Sequence, residues 1–204
     1  MNLLYPSVFF QLIAGLIPVL ILLNKEIQLK FWLLTYLITS VISTITLLIT
    51  SKLGIHNVIV FNTYGIIEFV CITAIYHKMI KKEYAIKTIN LIVLCIFIKI
   101  FYDMGTSNYV LDGFKATNLF EISLVLFFLF DQLKNDEYSK NESQLTGFSI
   151  YFISYKTSVF LLIYYISKII KTDLWYLHNF IEGSFKLLIA FSFWNIPKKS
   201  TFSN

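Results

Sequence analysis

Three glutamates, Glu68, Glu121 and Glu182, lie inside apolar runs that are long enough to cross a lipid bilayer. An ionisable side chain at membrane depth must be paired, neutralised or hydrated. Glutamates in such positions are typical of proton relays, ion pathways and charge pairs that specify a fold. The sequence therefore predicts a membrane protein with a polar interior.

Four basic side chains in the same apolar runs are the expected partners of these acids: Lys99, Lys156, Lys186 and His178. Three acids against three lysines predict a neutral interior. Depth, counted at about 1.5 Å per residue from each predicted helix end, divides the residues into two groups. The predicted buried polar core is Glu68, Lys156, Glu182 and Lys186. The predicted outer polar group is Lys99, Glu121 and His178.

The last apolar run carries His178, Glu182 and Lys186 at intervals of four residues, which places them on one helix face. One interpretation is a proton or ion relay or a ligand site, with Glu182 as the acid and Lys186 as its counter-charge. The other is a charge pair that makes insertion less costly and fixes packing. Four polar residues are expected to support the acids: Asn62, Tyr64, Asn118 and Asn179. Tyr64 lies four residues before Glu68, so its phenol is expected to hydrogen-bond the carboxyl.

Helices must position these residues, because lipid leaves backbone polar groups to be satisfied within a helix or a closed barrel. The runs lack the alternation of barrel strands. Of 204 residues, 57% are hydrophobic and 14% charged, against about 25% charged in soluble domains. The predicted fold class is an all-α, polytopic membrane protein, with residues 1–204 as one domain of seven transmembrane helices. The predicted spans are Tyr5 to Leu23, Phe31 to Thr50, Asn57 to Tyr76, Tyr84 to Tyr102, Phe114 to Phe130, Phe148 to Ile166 and Leu174 to Trp194.

Aligning the third, fifth and seventh spans on their glutamates suggests one leading helix followed by three helical hairpins. If the N-terminus is outside, the segments on the cytoplasmic side of the predicted spans carry ten lysines. The segments on the outer side carry four. The positive-inside rule then predicts a multi-pass protein of the bacterial inner membrane, with the N-terminus outside and the C-terminus cytoplasmic. The polar stretch Asp131 to Gly147 is predicted to be a cytoplasmic loop, either simply solvated or docking a protein partner.

Several function classes are disfavoured. All 17 basic residues are lysines scattered over helix ends, so nucleic-acid binding is not expected. Cys71 and Cys95 have no metal-ligand partner at short spacing and are expected to pack within helices. No phosphate loop or nucleophile motif is present, so we expect no enzyme activity, no metal and no cofactor. The expected partners are the lipid bilayer and, for a regulatory role, another protein; homo-oligomerisation is compatible with the sequence.

Parts of the chain resemble a broad group of uncharacterised bacterial seven-helix inner-membrane proteins. The resembling segments are Asn62 to Glu68, Phe120 to Ile122 and Trp175 to Asn179. The resemblance implies a compact membrane protein that acts beside a sensor kinase or another effector. The expected function is a sensory, regulatory or accessory role with a buried Glu/Lys/His polar core. One alternative is a small-solute, ion or proton transporter or channel, and another is a membrane accessory protein of a CRISPR or other phage-defence system.

The spacing of Glu182 and Lys186 also resembles microbial rhodopsins, in which such a lysine holds retinal. The sixth span has no tryptophan for a retinal pocket and the third has no arginine. A rhodopsin is therefore disfavoured.

Overall fold

The computed structural model describes residues 4–25, 27, 29–53, 58–80, 82–105, 109–134, 140–162, 166, 175–194 and 196. Within these residues the chain forms seven α-helices and no strands. They are α1 (Leu4–Leu23), α2 (Lys30–Lys52), α3 (Val58–Met79), α4 (Glu83–Gly105), α5 (Tyr109–Lys134), α6 (Lys140–Leu161) and α7 (Trp175–Trp194). The all-α prediction is confirmed, and each helix overlaps one of the predicted spans.

Among the described residues, two helices are long and apolar enough to cross a membrane, Tyr5–Leu23 and Lys30–Lys52. Buried core helices of soluble proteins and signal sequences have the same length and composition. This finding therefore does not confirm the seven predicted crossings or their orientation. In α7 the polar side chains of His178, Glu182 and Lys186 lower the hydropathy of the helix.

Six of the helices form a ring in which each contacts two neighbours, in the order α1, α2, α3, α5, α6, α7 and back to α1. Helix α4 packs on α5 outside this ring. There its Ile96 and Ile100 form an apolar cluster with Phe69 of α3. The contacts of α2 with α3, α4 with α5 and α6 with α7 are those expected of three hairpins. The ring matters for function because it encloses a common interior.

Helices α1 and α7 approach each other closely at Gly183. A Cβ atom at this position would lie 2.5 Å from Cε1 of Phe10 and 3.3 Å from the backbone Cα of Gln11. Small residues permit such close contact between helices, which increases van der Waals packing. At the end of α7, the buried Lys25 donates hydrogen bonds to the carbonyl oxygens of Trp194, at 2.8 Å, and Ile196. Both contacts hold α7 against α1.

Aromatic side chains fill the interior next to the buried charges. Tyr36 of α2 meets Phe148 and Phe152 of α6 edge to face, each with ring centroids 6.3 Å apart. Phe185 of α7 stacks on Tyr155 with centroids 4.7 Å apart. Such contacts add about 0.5–1.5 kcal/mol per pair beyond area burial. These ring contacts pack α2, α6 and α7 together around the charges.

The prediction of a loop from Asp131 to Gly147 is wrong over most of its length. Helix α5 continues to Lys134 and α6 begins at Lys140, and residues 135–139 lie outside the described residues. Both helices continue through polar and charged residues beyond the apolar run, because the backbone hydrogen bonds of a helix do not depend on the side chains being apolar. Asp131 is buried and pairs with Lys82. The docking role proposed for this stretch stays a prediction.

A candidate polar site inside the helix ring

Lys156 of α6 lies between two glutamates from two other helices. Its Nζ is 2.5 Å from Oε2 of Glu68 on α3 and 2.9 Å from Oε2 of Glu121 on α5. It also donates to Oδ1 of Asn118 at 3.0 Å, while the Tyr64 hydroxyl donates to Oε1 of Glu68 at 3.1 Å. The side chains of the lysine and of both glutamates are at most 3% exposed. These five residues, here called the Lys156 group, tie α3, α5 and α6 together.

The two carboxylates of the Lys156 group are held differently. Glu68 accepts hydrogen bonds from both Lys156 and Tyr64. Oε2 of Glu121 lies 2.9 Å from the same ammonium and has no second donor among the described residues. Hydrogen bonds stabilise a charged carboxylate directly. The carboxylate of Glu68 therefore has one more hydrogen-bond donor than that of Glu121.

Glu182 of α7 is the centre of a second buried cluster. Its Oε1 lies 2.7 Å from Nζ of Lys186 and accepts a hydrogen bond from Ser40 of α2 at 2.8 Å. Its Oε2 lies 3.8 Å from Nδ1 of His178. We call Glu182, Lys186, His178 and Ser40 the Glu182 group. It ties α7 to α2. Gly15 of α1 packs beside it: a Cβ there would lie 2.9 Å from Cγ2 of Val41 on α2 and at ordinary contact distance, 3.5 Å, from Nζ of Lys186.

Two tyrosines lie between the Lys156 group and the Glu182 group. The phenols of Tyr36 and Tyr155 are both within electrostatic range of Glu68, Glu121 and Glu182. The ring centroid of Tyr155 is 6.5 Å from that of His178, and Nζ of Lys156 is 5.9 Å from the centroid of the same tyrosine ring. The interior of the ring is thus one polar region with two charged centres.

The predicted buried polar core is corrected in its grouping. Glu68, Lys156, Glu182 and Lys186 are all buried inside the ring. They form two separate ion pairs, because Lys156 reaches Glu68 from α6 whereas Lys186 reaches Glu182 along its own helix.

The predicted outer polar group is wrong. Glu121 joins the Lys156 group, and His178 contacts Glu182. Lys99 lies on α4, outside the ring, where its side chain is exposed. Depth along a helix does not tell which way a side chain faces, and a long lysine side chain spans several ångströms of depth. Grouping by depth therefore separated residues that touch.

The predicted supporting residues have different outcomes. Tyr64 hydrogen-bonds Glu68 as predicted, and Asn118 accepts a hydrogen bond from Lys156. Asn179 of α7 donates to the hydroxyl of Ser7 on α1 at 3.0 Å, so it joins two helices rather than supporting an acid. Oδ1 of Asn62 is buried with no hydrogen-bond partner among the described residues.

Sequence reasoning missed Ser40, Tyr36 and Tyr155. Serine gives a weak signal in an apolar run, because its hydroxyl is commonly satisfied by the backbone carbonyl four residues earlier. Tyrosine is read as an interfacial or core residue. Their roles depend on which helices are neighbours, which the sequence does not state.

A third charge pair closes the helix ends. Lys82, between α3 and α4, donates a hydrogen bond to the buried Asp131 at the end of α5. This hydrogen bond raises the pKa of the Lys82 ammonium above its usual value. The pair fastens α4 to the ring at the end where α5 finishes.

No group of three or more histidine, cysteine, aspartate or glutamate side chains that would hold a metal ion occurs among the described residues. The arrangement can instead pair charges inside the ring and couple one helix to another. In comparisons with protein-family models, curated proteins and solved structures, nothing matches this chain.

Proposed function

We propose that this chain is a multi-pass membrane protein in which a buried, charge-paired interior has a sensory or regulatory role rather than an enzymatic one. In this proposal all seven helices cross the inner membrane, with the N-terminus outside. The observation that carries it is the distribution of side chains, which is the reverse of that in a soluble protein. Here charged side chains lie inside the ring and apolar side chains cover the outside.

The apolar exterior is regular. Helix α1 exposes Phe9, Ile13, Leu16 and Leu20, each at least 48% exposed, and α2 exposes Ile38, Ile42, Ile45 and Ile49, each at least 42% exposed. Both sets have the spacing i, i+4, i+7, i+11, which is one face of a helix. Two helices that contain charged residues also expose large apolar side chains: Leu91, Leu94 and Ile98 on α4, and Leu187, Leu188 and Phe191 on α7.

Soluble monomers rarely expose contiguous apolar patches above a few hundred Å². In a bilayer the same faces are solvated by lipid, and the buried charges are satisfied by one another. The exterior therefore supports membrane placement for helices that contain charges as well as for α1 and α2.

A regulatory role is supported by which helices the charges connect. The Lys156 group joins α3, α5 and α6, and the Glu182 group joins α7 to α2. Breaking a buried pair by removing one partner costs about 3–5 kcal/mol. A change in charge at either group is therefore large enough to shift helices against one another, which is what a sensor requires.

A transporter is the second candidate, favoured by the two tyrosines between the charged groups. Tyr36 and Tyr155 extend the polar region from the Lys156 group to the Glu182 group. Proton carriers use such chains of titratable side chains.

The membrane proposal is tested by alkaline carbonate extraction and by reporter fusions. Fusions after Lys134 and at the C-terminus are expected to report a cytoplasmic location. Release of the protein by carbonate would overturn membrane placement, and an external location of both fusions would overturn the orientation.

The two roles are separated by flux measurements in proteoliposomes with the wild type and Glu182→Gln. Glu83→Gln is the matched control, since the Glu83 side chain is 82% exposed at the start of α4. The regulatory proposal expects no solute or proton flux from inserted protein. Robust flux that Glu182→Gln abolishes and the control retains would overturn it in favour of transport.

A further inference from the structure

We infer that the interior of the ring holds one proton beyond those on its lysines, and that this proton resides on the carboxyl group of Glu121. The inference rests on the proposed function in one respect: the membrane placement, which surrounds the ring with lipid. The ligand is a proton from the aqueous phase: an O–H bond of a hydronium ion breaks, leaving water, and an O–H bond to the carboxylate of Glu121 forms.

The charge count of the interior is uneven. Three carboxyl groups, Glu68, Glu121 and Glu182, face two ammonium groups, Lys156 and Lys186. The third lysine expected from the sequence, Lys99, is exposed on α4 outside the ring. With all three acids ionised and His178 neutral, the interior carries one negative charge in excess. An uncompensated buried charge costs several kcal/mol, and binding one proton removes it.

The excess belongs to the Lys156 group. Within the Glu182 group one carboxylate faces one ammonium at 2.7 Å, so this group is neutral when His178 is neutral. Nδ1 of His178 is 3.8 Å from Glu182, which is beyond hydrogen-bond distance. A proton placed on His178 would leave one group positive and the other negative, and such separation is costly at low dielectric constant.

Within the Lys156 group, geometry selects Glu121. Two carboxylates that share one site repel each other, so one of them is favoured in its protonated form. Glu68 accepts two hydrogen bonds that stabilise its charge. Oε2 of Glu121 lies 2.9 Å from Nζ of Lys156 and has no second donor among the described residues, and the Glu121 side chain is 1% exposed. Glu121 is therefore the residue that gains most from losing its charge.

Titratable groups reach Glu121 from the helices packed around it. Among the described residues they are Glu68 on α3, Lys156 and Tyr155 on α6, and Tyr36 on α2. On α4, which packs on α5 outside the ring, Lys99 and Cys95 are exposed. The charged groups that act most directly on Glu121 are Lys156 and Glu68. Release of the proton leaves two carboxylates against one ammonium. The contact among α3, α5 and α6 then weakens as pH rises, which gives the proposed sensor a signal.

The test is infrared difference spectroscopy of the full chain in liposomes at neutral pH. The wild type is expected to show the carbonyl stretch of one protonated, buried carboxyl group, which disappears on titration to high pH. Glu121→Gln keeps the shape of the side chain but cannot ionise, and it is expected to remove this band. Glu83→Gln, on an exposed side chain, is the matched control and should retain it.

The wild-type spectrum alone tests whether a buried carboxyl group is protonated. A wild type with no protonated carboxyl band at neutral pH would overturn the inference. A band that persists in correctly inserted Glu121→Gln would show that the proton lies elsewhere and would also overturn it. The spectrum is equally measurable in detergent, so failure of membrane placement, seen by carbonate extraction, is distinguishable from failure of this inference.

Discussion

Replacing Lys156 with methionine is the most informative single perturbation of this protein. Methionine fills a similar volume but removes the ammonium that faces Glu68 at 2.5 Å and Glu121 at 2.9 Å. If Glu121 is already protonated, one buried carboxylate, that of Glu68, is left uncompensated. Removing one partner of a buried pair costs about 3–5 kcal/mol, so Lys156→Met should lose that much free energy of unfolding.

The measurement is equilibrium unfolding in mild detergent, followed by circular dichroism. Lys87→Met is the matched control, since the Lys87 side chain is 74% exposed and pairs with Glu83 within one helix. Such an exposed pair is worth about 0.3–0.5 kcal/mol. The expected difference between the two lysine variants is therefore several kcal/mol.

A neutral version of the site completes the test. The triple variant Lys156→Met, Glu68→Gln, Glu121→Gln removes the charges together, and replacing a whole buried pair is often close to neutral. We expect it to recover most of the stability lost in Lys156→Met. A single variant no less stable than Lys87→Met, or a triple variant less stable than the single one, would refute the reasoning.

Three further predictions concern other contacts. Gly183→Ala should lose about 1–3 kcal/mol of stability, because the added Cβ would lie 2.5 Å from an aromatic carbon of α1. Ser40→Ala should lose about 1.5–3 kcal/mol, the value of a hydrogen bond to a charged group, since it donates to Glu182. Lys82→Gln should lower the melting temperature at neutral pH. Because its hydrogen-bonded partner raises the pKa of Lys82, the stabilisation is fully present below the ordinary value of 10.5 and is lost as pH rises through the raised value.

Matched controls make these predictions specific. Gly147→Ala should cost less than Gly183→Ala, since its nearest neighbour would be 3.1 Å away. Ser158→Ala should be nearly neutral, because that exposed hydroxyl bonds only the carbonyl of Ser154 in its own helix. Equal losses within either pair, measured by unfolding in detergent, would contradict the packing or hydrogen-bond argument. A Lys82→Gln variant with the same melting temperature as the wild type at neutral pH would contradict the prediction for the pair of Lys82 and Asp131.

Much of the site was predictable from residue type. An acid or lysine in the middle of an apolar run must find a partner, so Glu68, Glu121, Glu182, Lys156 and Lys186 stand out without any structure. Contacts along one helix were also predictable. The pairs Tyr64 with Glu68 and Glu182 with Lys186 are four residues apart, and helix geometry alone brings them together.

Pairing between helices was not predictable from one sequence. Lys156 meets Glu68 and Glu121 across residue separations that no local rule covers. Lys99 looked equivalent to the other lysines, but α4 packs outside the ring and leaves it exposed. The predicted charge balance of three against three failed for this reason.

The sequence by itself determined that this chain is helical, where its helices lie, and which side chains are too polar for their surroundings, because these depend on local composition and periodicity. Only the tertiary structure decided which helices enclose the interior. It divided the buried charges into a balanced group at Glu182 and an unbalanced one at Lys156. The physical reason is that ion pairs act over a few ångströms in space, and the order of helices around a ring is set by packing rather than by position along the chain.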